Sequence, residues 1–274
     1  LHLRRLCLLI PLYFTGVEPT LAALLINLRY FLFFVLVYAA VVAFPDIRRW
    51  FVGVFFGGAA LAVLFAVLQV TVLPYDILKY IGYGPDSIVP YLTVDQNMDY
   101  IRITGTFRGP NPLGAYMVMV LAMTATFLAY KVAAKRWVQW GIGALGVGAF
   151  IALWATYARA AALGAIVALS IVALVVYGKR ISRAVWVALG ITGLALVGTV
   201  VVLYETPFVS QVILHEDPNE GNAVNSNDGH AESLADGATR MLRQPLGGGV
   251  GSTGSPSLLG NEPLIIENQY FYVA

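Results

Sequence analysis

Runs of roughly 20 apolar residues recur along this chain, each closed by a short polar connection, and that alternation leaves few folds open. Wound as an α-helix at about 1.5 Å per residue, such a run crosses the ~30 Å hydrocarbon layer of a bilayer. The runs are Leu6–Phe14 (short), Leu21–Phe44, Trp50–Leu73, Pro112–Tyr130, Trp137–Tyr157, Ala160–Tyr177 and Ala184–Tyr204, and another opens near Gln269. They predict an all-α, polytopic transmembrane protein. Composition agrees, with 59% hydrophobic and 12% charged residues. A soluble domain carries roughly 45–50% apolar and about 25% charged residues, so an ordinary water-soluble enzyme is excluded. The one cysteine, Cys7, excludes a disulfide scaffold.

The expected organisation has three parts. Residues 1–204 form about seven transmembrane helices with an outer loop at 74–111, residues 205–268 form a large outer loop, and 269–274 begin a further span. The chain opens without methionine and stops as a new apolar run starts, which reads as a fragment of a longer membrane protein.

Charge sets the direction of the spans. Arg4 and Arg5, then Arg48 and Arg49, then Lys131, Lys135 and Arg136, then Lys179, Arg180 and Arg183 occupy alternate connections, where Asp46 is the one acid. The remaining acids fall in the other set: 15–20, 74–111, the tight turn at Ala158-Arg159, and 205–268. Short cytoplasmic loops carry the lysine and arginine excess, so the basic set is read as cytoplasmic and the long loops as facing outward.

In the first outer loop, 75–83 places Ile77, Leu78 and Ile81 on one side of a short surface helix. In the second, Gly229–Leu242 reads as an amphipathic helix with Leu234, Ala238 and Met241 on its apolar face, capped at 226–228 and stopped by Pro245. It is expected to lie across the site, with the Gly247–Gly249 run as its hinge. Gly249-Val-Gly-Ser-Thr-Gly254 fits G-x-G-x-x-G, but no preceding strand, following helix or later acid supports dinucleotide binding. A turn where backbone passes close to a neighbour is the simpler reading. No metal and no cofactor are expected, since His2, His215 and His230 are scattered without a cysteine partner.

Arginines at membrane level carry more information. Arg29 lies in an apolar run, roughly 12 Å below Leu21. It is either functional or snorkels to the interface. Arg102, Arg108 and Arg159 are expected to converge at the outer face, where guanidinium forks suit a lipid diphosphate. Contacts to lipid headgroups alone are the plainer alternative.

Taken in order, Arg102-x-Thr-Gly-Thr-Phe-x-Gly-Pro-Asn-Pro-Leu-Gly114, Thr156-Tyr-Ala-Arg-Ala-Ala161, Gly229-His230, Pro245-Leu-Gly-Gly-Gly-Val-Gly-Ser252 and Glu267-Asn-Gln-Tyr270 resemble the O-antigen ligase and O-antigen polymerase superfamily over about Ile101–Tyr270. The resemblance implies a bacterial inner-membrane glycosyltransferase. It would move glycan from an undecaprenyl-diphosphate carrier to a glycan or glycolipid acceptor at the outer face, without ATP or an obligatory metal. It implies Arg159, Arg102, Arg108 and Asn111 as diphosphate-binding residues, and Glu267 as general base with His230 as the competing base. Ala158 stands where the family has serine, His230 where it often has arginine, and Glu267 where it often has histidine. The expected partners are the polyprenyl-diphosphate-linked donor, the acceptor and the lipid bilayer, with no nucleic acid. The rival is a transporter or a lipid-linked glycan flippase without chemistry.

Overall fold

A computed structural model describes residues 16–74, 76–83, 93–94, 97–133, 135–178, scattered positions between 182 and 209, 226–244 and 248–260. The runs Leu6–Phe14 and the segment from Gln269 fall outside these residues, and Ala184–Tyr204 largely does. Five described helices are long and apolar enough to cross a membrane, over Val17–Ala43, Pro45–Thr71, Pro110–Ala129, Arg136–Ala155 and Arg159–Tyr177. The chain is therefore an all-α, multi-pass membrane protein. We label its α-helices α1 (Val17–Ala43), α2 (Arg48–Thr71), α3 (Pro110–Ala129), α4 (Arg136–Ala155), α5 (Arg159–Tyr177) and α6 (Ser226–Arg243).

The spans begin a little earlier than hydropathy alone predicts. Proline at the first helical positions lets α3 start at Pro110, because its missing N–H is one of those a helix leaves unpaired anyway. Starting α1 at Val17 moves Arg29 about 18 Å along the axis, deeper than expected. Its Nη2 donates to the Tyr30 hydroxyl at 2.8 Å and its guanidinium lies 4.7 Å from the Tyr30 ring centroid.

Contacts divide the chain into two compact units, residues 1–51 with 224–274, and residues 52–223. The second unit carries a core where α2, α3, α4 and α5 meet: Ala59, Val63 and Ala66, then Leu113, Met117 and Val120, then Ala149 and Ala152, then Ala165. Small residues permit this approach, as in membrane helix pairs generally. A Cβ at Gly114 would lie 2.9 Å from that of Ala161, and one at Gly148 would lie 2.6 Å from Val63 Cγ1. The outward faces remain apolar, with Leu61, Val147 and Ile166 all exposed, as a lipid-facing surface requires.

The loop before α3 holds more order than the sequence predicts. Thr93–Val94 (β1) pairs antiparallel with Asn97–Ile101 (β2), in the register Thr93 with Ile101 and Val94 with Asn97. The predicted surface helix is a 3-10 turn, Ile77–Ile81, which buries Leu78 but leaves Ile81 exposed, so the expected three-residue face does not form.

In the first unit the glycine run is a close-packed turn. Gly249, Gly251 and Gly254 all have positive φ. A Cβ at Gly251 would lie 2.5 Å from the Pro19 carbonyl oxygen, and Thr20 Oγ1 donates to the Val250 carbonyl at 3.3 Å. The 3-10 turn Ser255–Leu259 packs on the start of α1. Residues 250–259 are therefore a docking contact on the start of α1, and of the expected hinge Gly247–Gly249 the residue Gly247 lies outside the described residues. The contact also joins two connections, 15–20 and 205–268, that alternation puts on one face. Helix α6 absorbs residues 226–228 instead of being capped by them.

Candidate functional site

The site grows from one problem, how α4 ends and α5 begins with almost no chain between them. Tyr157 takes a left-handed conformation, φ 50°, at the position after the helix where glycine is usual. Its N–H donates to the Trp154 carbonyl at 3.1 Å. The bond that would normally run from Ala158 N–H to the Leu153 carbonyl is replaced by a relay. Ala158 N–H donates to Thr156 Oγ1 at 3.2 Å, and that hydroxyl donates to the Leu153 carbonyl at 2.6 Å. The hydroxyl is fully buried, so the relay satisfies groups that water cannot reach.

The last carbonyls of α4 are taken by the strand arriving from the hairpin. Ile103 N–H donates to the Ala155 carbonyl at 3.1 Å. Arg102 Nε donates to the Thr156 carbonyl at 2.8 Å, and its Nη2 donates to Asn111 Oδ1 at 2.8 Å. A guanidinium suits this place, because a helix C-terminus carries partial negative charge. Tyr100 packs its ring edge-on to Tyr157, with centroids 6.2 Å apart. One residue beyond Thr104, Gly105 N–H donates to the buried Gln69 Oε1 at 2.8 Å, tying in the end of α2. Thr104 Oγ1 is buried and makes no hydrogen bond among the described residues.

These bonds bring the end of α2, the start of α3, the end of α4 and the start of α5 to one end of the unit, the antiparallel order that alternation predicts. They also distinguish the arginines. Arg102 and Asn111 form a clamp that fixes the α4–α5 turn. Arg159, half-buried at the first position of α5, lines a cleft of about 520 Å³. Leu121 of α3, Phe150 and Trp154 of α4, and Ala162, Ile166 and Leu169 of α5 form the body of that cleft. From Arg159 to Leu169 it extends about 15 Å, half the depth of the hydrocarbon layer. Arg108 is exposed in the turn at 105–109, just ahead of α3. His230 belongs by its backbone to α6, in the other compact unit, and Glu267 lies outside the described residues. Among the described residues no cluster of three or more His, Cys, Asp or Glu could hold a metal ion.

Sequence reasoning missed Gln69, Thr104 and Thr156. A lone glutamine near the end of an apolar run was a usable signal, since an amide in a span needs a partner. The threonines carried none, because a hydroxyl in a helix usually satisfies itself on the preceding turn.

No family model matches the chain, and no curated protein or solved structure matches it.

Proposed function

We propose that the chain is part of a membrane glycosyltransferase of the O-antigen ligase or polymerase type. It would transfer glycan from a polyprenyl-diphosphate carrier to a glycan or glycolipid acceptor, at the outer face of a bacterial inner membrane. The observation that carries this reading is the cleft headed by Arg159. It has one cationic end at the level where α5 begins and an apolar body that runs into the span. That shape suits an amphiphile with an anionic head and a hydrocarbon tail, and an arginine fork matches a diphosphate.

The proposed chemistry rests on the cleft for the role of Arg159 and on the sequence resemblance for the roles of Glu267 and His230. The acceptor hydroxyl oxygen attacks the anomeric carbon, the bond from that carbon to the diphosphate oxygen breaks, and polyprenyl diphosphate departs. Arg159 stabilises the negative charge that collects on the leaving group. The hydroxyl proton passes to the Glu267 carboxylate, with His230 as the competing base. Arg102 acts through the turn it clamps, as a positioning residue, and Arg108 is an auxiliary contact to the phosphates.

The test is purified full-length protein in liposomes with a synthetic polyprenyl-diphosphate oligosaccharide and acceptor. Release of free polyprenyl diphosphate together with glycosylated acceptor supports the reading. Movement of intact donor between leaflets without release would make the protein a flippase instead.

A further inference from the structure

The opposite end of the second unit holds a groove that the proposed transfer does not use. Helix α3 closes there with Lys131 in a left-handed conformation, φ 50°. Val132 N–H returns to the Phe127 carbonyl at 3.1 Å and Lys131 N–H to the Leu128 carbonyl at 3.2 Å. This paired closure turns the chain sharply, so that α4 starts at Arg136. Between α2 and α4 it leaves a groove of about 370 Å³, lined by Gly53, Phe56 and Ala60 on one side, Trp137 and Gly141 on the other, and Phe127 behind.

Two features separate this groove from a simple packing fault. A Cβ placed at Gly53 or Gly141 would meet nothing within 4 Å among the described residues, so neither glycine is required by the packing described. Their effect is to keep the groove open. The chain that runs past the groove is also strongly cationic, since Lys131, Lys135 and Arg136 flank the lining residues Val132, Ala133 and Trp137 in sequence. Lys131, Lys135 and Arg136 are exposed, and no acid lies between 130 and 136. Lys135 and Arg136 sit at the N-terminus of α4, where the helix dipole disfavours positive charge. They are not placed there to support the helix.

We propose that this groove is a binding site for an anionic phospholipid. One acyl chain lies along Gly53, Ala60 and Gly141, and the phosphate is held by Lys131, Lys135 and Arg136. Basic pockets between spans recognise anionic headgroups in this way, and each cation near the surface is worth about fivefold in affinity. The site is independent of the glycan-transfer reading and survives its failure.

Trp137 lines the groove and reports on it directly. The full-length protein, with every tryptophan except Trp137 changed to Phe (Trp50, Trp140, Trp154 and Trp186 among them), would be placed in nanodiscs carrying a minor fraction of lipid with brominated acyl chains. Brominated phosphatidylglycerol is expected to quench Trp137 several-fold more efficiently than brominated phosphatidylcholine at equal mole fraction. Lys135→Gln should weaken the relative affinity for phosphatidylglycerol about fivefold and bring the two quenching efficiencies close together. Gly141→Leu keeps all three cations but fills the groove, and should bring both lipids to the same weak quenching. Equal, strong quenching by the two lipids would mean ordinary boundary lipid, and no quenching by either would mean that protein covers the groove. Both results overturn the proposal.

Discussion

The two ends of the 52–178 bundle use their cations in opposite ways. At the end holding the α4–α5 turn, Arg102 is engaged on both sides, by the Thr156 carbonyl and by Asn111, and Arg159 heads an apolar cleft. At the other end Lys131, Lys135 and Arg136 stand exposed around a groove. The first end is built of hydrogen bonds that fix backbone, and the second is an open charged rim. A fixed turn suits selective recognition of a headgroup under chemical change, because donors already in position need no rearrangement as charge develops. A rim of exposed cations suits retention of a lipid that does not react.

The largest effect is expected at Arg159. Arg159→Ala should lower transfer by about 10²–10³, the usual cost of removing one preorganised charge-stabilising group. The apparent Tm of the purified protein should be unchanged. Arg159→Lys keeps charge but loses the planar fork and should recover only part of the activity. Full activity in Arg159→Ala would remove the head of the cleft from the mechanism.

Arg102→Ala tests the contrast between positioning and binding. Losing two charge-assisted bonds, one to the Thr156 carbonyl after α4 and one to Asn111 of α3, should cost about 2–4 kcal/mol, seen as a lower apparent Tm. Transfer should fall alongside the melting temperature, because the turn that aims Arg159 is loosened. If stability were retained while the KM for donor alone rose, Arg102 would be a direct phosphate ligand and the clamp a secondary role.

Gly114→Ala is the next smaller effect. The added Cβ would lie 2.9 Å from that of Ala161 and 3.1 Å from that of Ala158. Overpacking of this kind costs about 1–3 kcal/mol. The same change at Gly141 meets open space and should leave the melting temperature where it is.

The span pattern was legible because hydrophobic run length and basic connections are properties of sequence alone. The position of Arg159 was legible for the same reason, since two runs long enough to cross separately left no room for a loop. The role of Arg102 was not. Its partners are the Thr156 carbonyl, distant in sequence, and Asn111, and only the folded hairpin delivers it there. That hairpin was not read from the sequence, where no Asn-Gly or Asp-Gly turn marks it. The glycine run was legible as a place of close approach, whereas its neighbour Pro19, far away along the chain, was not.

The smallest effect compares two threonines at the clamped end. Thr104 and Thr156 are both fully buried. Thr156 Oγ1 relays between Ala158 N–H and the Leu153 carbonyl, whereas Thr104 Oγ1 makes no hydrogen bond among the described residues. Replacing each with valine, nearly the same in shape, removes only the hydroxyl. Thr156→Val strips the relay and leaves a buried N–H without an acceptor, which costs about 1–3 kcal/mol. Thr104→Val removes a hydroxyl whose burial is already unfavourable, so the melting temperature should hold or rise slightly, by no more than about 1 kcal/mol in stability. Apparent Tm values of the two variants, measured side by side in one detergent, give the sign of the difference. Activity then decides what the orphan hydroxyl is for. If Thr104→Val is as stable as the parent but slower in transfer, that hydroxyl contributes to the site beside Arg102 and Gly105. If stability and transfer are both kept, the contrast between a built turn and its unpaired neighbour is one of folding alone.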